Sequence, residues 1–149
     1  MRESAVFLGQ YQHSLDPKGR LILPVKFRGR LEDGAYMARG LDGCVCVYPR
    51  DEWERVAENM RELSTRGPNQ RQAARTFFAG AAEMVPDRQG RVQVPTHLRD
   101  FAGLDLDGAV VVAGVLSRVE IWDAQRWRAR EEEGEQVITA AQDIPDFGI

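Results

Sequence analysis

Apolar and polar positions along this chain run through a cycle of strand, turn, short helix and strand pair, and the cycle occurs twice. Residues 5–15 (Ala-Val-Phe-Leu-Gly-Gln-Tyr-Gln-His-Ser-Leu) alternate so that Tyr11, His13 and Leu15 share one side of a strand. A turn over Asp16–Arg20 follows, after which Leu21 and Leu23 point one way and Arg20 and Ile22 the other. Pro24 ends that strand and suits the first turn of a short helix from Val25 to about Leu31. Strands over Ala35–Arg39 and Cys44–Tyr48 flank the turn Gly40-Leu-Asp-Gly43. Asp51 is expected to cap the next helix, with Glu54 completing a capping box. That helix places Trp53, Val56, Ala57, Met60 and Leu63 on one face. A break over residues 65–69 separates it from a second helix ending in Phe77-Phe78. In the second cycle, Pro95-Thr96 opens a helix that Gly103 can close. Strands over Val110–Ala113 and Val119–Trp122 are expected on either side of Gly114-Val-Leu-Ser117, and Asp123 caps a final helix. From about Glu131 the chain turns acidic and weakly apolar, as in a helix end followed by a loose terminus.

The two cycles are copies. Asp16, Gly19, Arg20 and Pro24 recur 71 residues on as Asp87, Gly90, Arg91 and Pro95. At the same offset Phe7 matches Phe78, Gly9 matches Gly80, and Phe27-Arg28 matches Leu98-Arg99. Later the offset becomes 74, pairing Gly40 with Gly114, Val45 with Val119, Tyr48 with Trp122 and Trp53 with Trp127. A loop between them absorbs the difference. The chain is thus a tandem duplication of a unit of roughly 45–50 residues. We read repeat one as 7–53, a helical linker as 54–77, repeat two as 78–127 and an acidic tail as 128–149. The expected class is α+β. With 149 residues the whole can bury a core, but each half alone is marginal and should pack on the other or on further chains.

Composition narrows the function classes. The chain has no apolar run near 18 residues and does not open on a signal-peptide pattern, so a cytoplasmic protein without a membrane partner is expected. The formal net charge is −3, but it is uneven. Residues 1–76 hold 13 Lys+Arg against 10 Asp+Glu, and residues 77–149 hold 7 against 13. Much of the acidity sits in Glu131-Glu132-Glu133 and Glu135. The first half is therefore mildly basic, and a folded protein can show one basic face on an acidic body. Cys44 and Cys46, two apart on a strand, share a face and read as reduced, buried small hydrophobes. With only these and His13 and His97, neither a structural zinc site nor any other cofactor is expected. His13, Ser14 and Asp16 invite a catalytic reading, yet strand neighbours point to opposite faces. Copy two has Met84-Val85 in place of His13-Ser14, so the repeated motif carries no catalysis, and no enzyme is expected.

The repeated Asp-x-x-Gly-Arg turn is where chemistry concentrates. Gly19 and Gly90 supply the positive φ of the turn; Asp16 and Asp87 accept backbone N–H bonds or pair with the arginine four residues on. That alone fixes a hairpin corner. The guanidinium adds something peculiar to Arg, a planar fork that fits guanine O6 and N7 in the major groove. Around Arg20, the cations Lys18, Lys26, Arg28 and Arg30 are placed to meet phosphates; copy two offers Arg88, Arg91 and Arg99 among many acids. Arg20 is the expected principal base reader, and Arg91 the more structural of the two, holding Asp87 or a subunit contact.

Leu15-Asp-Pro-Lys-Gly-Arg-Leu-Ile-Leu-Pro24 resembles the DNA-contacting segment of the SpoVT/AbrB swapped-hairpin transcription factors. Two such copies, with the opening Phe7-Leu-Gly-Gln-Tyr11 and the endings Tyr48-Pro-x-x-x-Trp53 and Trp122-Asp-x-x-x-Trp127, are similar to the MraZ family. The resemblance covers about residues 6–130. It implies tandem pseudo-symmetric swapped-hairpin units assembled as a ring-like homo-oligomer, octamer or dodecamer class. It further implies a nucleoid-associated bacterial repressor of the division and cell-wall gene cluster, including its own gene, that binds short G-rich direct repeats in double-stranded promoter DNA. The implied DNA-facing set is Asp16, Lys18, Gly19, Arg20, Lys26, Arg28, Arg30, Asp87, Arg88, Gly90 and Arg91. Two readings stand beside it: a protein-interaction ring that does not read DNA, and an antitoxin-type regulator, which ordinarily has one copy and a toxin-binding tail.

Overall fold

Leu21 and Leu23 are wholly buried while Ile22 between them is 46% exposed, the alternation that the sequence requires of a strand lying on a core. The computed structural model describes residues 6–140. Copy one contributes β1 (Phe7–Ser14), β2 (Arg20–Ile22), α1 (Val25–Leu31), β3 (Ala35–Arg39), β4 (Val45–Pro49) and α2 (Arg50–Leu63). Helix α3 (Pro68–Ala79) leads into β5 (Ala82–Met84), β6 (Arg91–Gln93), α4 (Thr96–Ala102), β7 (Ala109–Leu116), β8 (Arg118–Asp123) and α5 (Ala124–Thr139).

The copies are interleaved rather than set side by side. One antiparallel sheet has the order β1-β7-β8-β4-β3-β5, and β2 and β6 form a separate two-stranded ribbon. Strand β1 leaves its own copy to pair with β7, and β5 reciprocally pairs with β3. The join at the middle is β4 on β8, with Cys46 opposite Glu120. This is the α+β class expected from the repeats, in the tandem swapped-hairpin form that the family resemblance implies.

The sheet has an apolar layer on each side. Val45 and Val47 of β4 face a cluster with Phe7, Leu15, Leu21, Leu23, Phe27, Val92, Val94 and Leu98, roofed by α1 and α4. Cys46 and Tyr48, alternating with them, join Ala38, Cys44 and Trp122 on the other face. There Trp53 of α2, Phe77 of α3 and Trp127 of α5 close the layer, Trp53 stacking on Tyr36 at 5.0 Å.

Some boundaries differ from the sequence reading. Gly114 lies inside β7, not in a turn, and the reversal falls at Leu116 (φ 61°) and Ser117. Its lack of a side chain serves a close approach instead: a Cβ there would stand 2.5 Å from the Leu8 backbone nitrogen and 2.6 Å from the Phe7 carbonyl carbon. Asp51 is one residue inside α2, whose cap position is Pro49. The Asp51 carboxylate accepts from Arg30 Nη2 at 3.0 and 3.1 Å and, through Oδ1, from the Glu52 N–H at 2.9 Å. Asp123 does cap α5, accepting from the Gln125 and Arg126 N–H groups. That helix runs well past Glu131; residues 141–149 of the expected tail, and residues 1–5, lie outside the described residues.

Candidate nucleic-acid interface

Each repeated turn is built around its aspartate. Asp16 Oδ1 accepts from the backbone N–H groups of Lys18 and Arg20, both at 2.9 Å, and Oδ2 accepts from Arg20 Nε at 2.7 Å. Asp87 repeats the pattern with Gln89 and Arg91 at 2.9 Å and Arg91 Nε at 2.8 Å. Each arginine is anchored through Nε, and its two terminal amino groups make no hydrogen bond among the described residues. The Arg20 backbone N–H, followed by its side chain, holds the Asp16 carboxyl below the ordinary aspartate value despite opposing desolvation. Arg91 does the same to Asp87, backbone first and side chain second. Both carboxylates are ionised at neutral pH, and both braces are in force.

The two turns belong to one surface. Ribbon β2·β6 pairs Arg20 with Gln93, Leu21 with Val92 and Ile22 with Arg91. Leu21 and Val92 are buried, so Arg20, Ile22, Arg91 and Gln93 share the outer face. Arg20 and Arg91 stand diagonally across the ladder, their Cα atoms about 7–8 Å apart by ribbon geometry. Backbone bonds beyond the ladder lock the ends: Leu23 N–H donates to Gly90 O at 2.8 Å and Val94 N–H to Gly19 O at 3.0 Å.

Arginines from the opposite copy back the corners. A Cβ at Gly19 (φ 80°) would meet Arg99 Nη1 at 2.9 Å, and one at Gly90 (φ 79°) would meet Arg28 Nε at less than 2.5 Å. Conformation calls for glycine at both positions, and a Cβ at either would also displace the arginine side chain behind it. Arg28 also donates through Nε to Leu23 O at 3.0 Å, whereas the Arg99 Nε is buried with no hydrogen-bond partner among the described residues.

The structure distributes the expected residues unevenly. Asp16, Lys18, Gly19 and Arg20 form one corner; Asp87, Arg88, Gly90 and Arg91 form the other, with Lys18 and Arg88 exposed at the tips. Arg28 sits against the copy-two corner, not beside Arg20 where its place in the chain suggests. Arg30 is not brought to the ribbon: it pairs with Asp51 and lies over the Phe7 ring at 5.1 Å. Lys26 is exposed on α1, along a shallow apolar groove with Tyr11, His13, Ile22 and Val25. Burial, and next the Arg28 charge, hold His13 below its ordinary value, so it is neutral at pH 7. The pairing of Arg91 with Asp87 was expected, but Arg20 holds Asp16 identically, and the side chains are 29% and 30% exposed. Pairing and exposure therefore do not rank the two arginines.

Two members of the outer face were not singled out from the sequence. Gln93 donates to Lys18 O at 2.8 Å and ties the copy-one turn to β6. Its repeat equivalent is Ile22, which has no polar atom to do this for copy two. The alternation of β6 does announce that Gln93 points outward; its partner across the ribbon is visible only once the copies interleave.

Residues 6–76 and 77–144 each match the protein family described as "MraZ protein, putative antitoxin-like". A protein of Natranaerobius thermophilus named transcriptional regulator MraZ is 43% identical over 145 residues, spanning 97% of this chain and 100% of that protein. Proteins of the same name from Heliobacterium modesticaldum and Pediococcus pentosaceus are 41% and 43% identical, over the same shares of each chain. All three are named as regulators and none as an enzyme. With both halves matched and full-length relatives at this identity, the chain belongs to the MraZ family.

Proposed function

We propose that this chain is a sequence-specific DNA-binding transcriptional regulator whose β2·β6 ribbon enters the major groove. One observation carries the reading: two Asp-braced arginines on one ribbon face, each part-exposed and with both terminal amino groups unbonded among the described residues. A two-stranded ribbon fits the major groove, and an Arg fork fits guanine O6 and N7. Bracing through Nε removes rotamers before binding, so less entropy is lost on contact. A separation of about 7–8 Å corresponds to roughly two base-pair steps. Guanine-rich boxes suit such a pair. Lys18, Lys26 and Arg88 meet phosphates; Arg28 and Arg99 brace the corners and add positive potential behind them. Arg20 is the principal reader, supported by the extra tie from Gln93 to its turn, which copy two lacks.

The finer parts of the proposal follow the family. The boxes are short direct repeats ahead of the division and cell-wall gene cluster, the protein represses that cluster and its own gene, and several chains assemble into a ring on the nucleoid. Repeated boxes and repeated readers gain from effective concentration without new contacts.

Binding to DNA from the organism's own division-cluster promoter, against a scrambled duplex of equal length at two salt concentrations, tests this. Selective binding is expected, with Arg20→Ala costing about 1–3 kcal/mol and relaxing the base preference. Lys18→Ala should weaken both duplexes alike and flatten the salt slope by about one. Equal, salt-labile binding to the two duplexes would reject the reading and favour a protein-interaction ring.

A further inference from the structure

We propose that the chain carries a metal site, independent of the DNA-facing ribbon, in which Cys44, Cys46 and Glu120 hold one divalent ion of the zinc class beneath the turn at residues 40–43. Cys44 lies just before β4 and Cys46 within it, and their sulfurs stand 4.0 Å apart. Register places Glu120 of β8 directly opposite Cys46. The two Sγ atoms and a Glu120 carboxylate oxygen all lie within 4.8 Å of one another, and all three residues are buried. Glu120 is the one buried charged residue among those described.

The sulfur–sulfur spacing suits a tetrahedron, and the carboxylate oxygen lies within 4.8 Å of both sulfurs. Thiolates at the zinc–sulfur distance of about 2.3 Å stand about 3.8 Å apart, and a thiolate and an oxygen ligand about 3.6 Å apart. The Leu41 carbonyl oxygen, 3.4 Å from Cys44 Sγ, supplies the fourth donor. A Cβ on Gly40 would fall 2.6 Å from both sulfurs, so both converge on one point that only glycine leaves open.

Glu120 is held as a ligand is held by its surroundings. Its Oε2 accepts from Arg118 Nε at 2.9 Å and Nη2 at 2.7 Å, and its Oε1 accepts from Trp122 Nε1 at 2.9 Å. Of about four lone-pair positions on a carboxylate, this leaves one, on Oε1. Partners of this kind orient a metal-binding carboxylate. Charge balances as well. Without the ion, two thiols are neutral and Glu120 offsets Arg118; on binding, two S–H bonds break, two metal–sulfur bonds form, and two protons pass to solvent. The dication then offsets the two thiolates, and the buried cluster stays neutral. The sequence reading counted only Cys and His; a carboxylate from the other copy and a backbone carbonyl complete the set.

The test equilibrates the reduced full chain with zinc alone, removes unbound ion and counts metal per chain, with cobalt(II) as a spectroscopic probe in parallel. About one ion per chain and thiolate-to-cobalt charge-transfer bands are expected. Cys44→Ser with Cys46→Ser should abolish both, and Glu120→Gln should weaken binding by tenfold or more. Absence of thiolate bands in the unmodified chain overturns the proposal even if the double variant fails to fold. So does zinc binding that the folded double variant retains, which would place the ion on surface carboxylates.

Discussion

Asp16 and Asp87 act at once on the backbone and on the arginine side chain, so the corner should respond to acid as a unit. Both carboxyls have folded-state values below the ordinary 3.8. The folded state thus binds the proton less readily than the unfolded chain. Their stabilisation is complete above the ordinary value and is lost as pH falls through the depressed one. A carboxyl-resolved titration should show both aspartates ionising below the ordinary aspartate value, and Asp16→Asn should remove that acid-side component for copy one while leaving Asp87 unchanged. Arg20→Lys tests the fork itself: it keeps the charge and loses the bidentate edge, so base selectivity should fall nearly as far as with Arg20→Ala while residual non-specific binding is higher. At this scale the sequence showed much of the site. The Asp-x-x-Gly-Arg spacing, the outward Arg20 and the two glycines follow from turn chemistry and strand alternation. Arg28 and Arg30 were misplaced because both sit beside Arg20 in the chain, whereas their partners, Gly90 and Asp51, are fixed by tertiary packing.

Among the elements, β1 is held by an eight-residue ladder to β7 and crosses it where Gly9 faces Gly114. Gly114→Ala should cost about 1–3 kcal/mol, because the added methyl meets backbone rather than a movable side chain. Gly134 of α5 is the contrasting case: nothing lies within 4 Å of an added Cβ. Gly134→Ala should stabilise the helix by up to about 1 kcal/mol. Urea unfolding of the two variants checks both signs in one experiment. Strand and helix types were legible from periodicity, and so was the glycine closing α4, where Gly103 takes φ 66°. The role of Gly114 was not, since local sequence does not distinguish a glycine that makes a turn from one that admits a neighbouring strand.

For the whole molecule, interleaving means that neither half owns a complete sheet. Residues 1–76 alone would lack β7 and β5, leaving β1 unpaired and β3 with an open edge. That fragment should not persist as a folded monomer; it should be unfolded or self-associated, and mixing it with residues 77–149 should restore secondary structure. Sedimentation with circular dichroism checks this, and a stable monomeric half would contradict it. Duplication was plain from the offsets of 71 and 74, but which strand pairs with which depends on non-local contacts that no single repeat contains.

Fusing the copies in one chain has a further result. In a homodimer every substitution appears twice and the two-fold symmetry survives it. Here Gln93 and Ile22 occupy equivalent places on the same ribbon and have diverged, one tying down the neighbouring turn and the other exposing an apolar surface. The ribbon therefore has a head and a tail. On the proposed reading, a molecule of that kind would tell which way along a duplex it points, and a row of such molecules would favour boxes that all run in one direction over boxes that mirror each other.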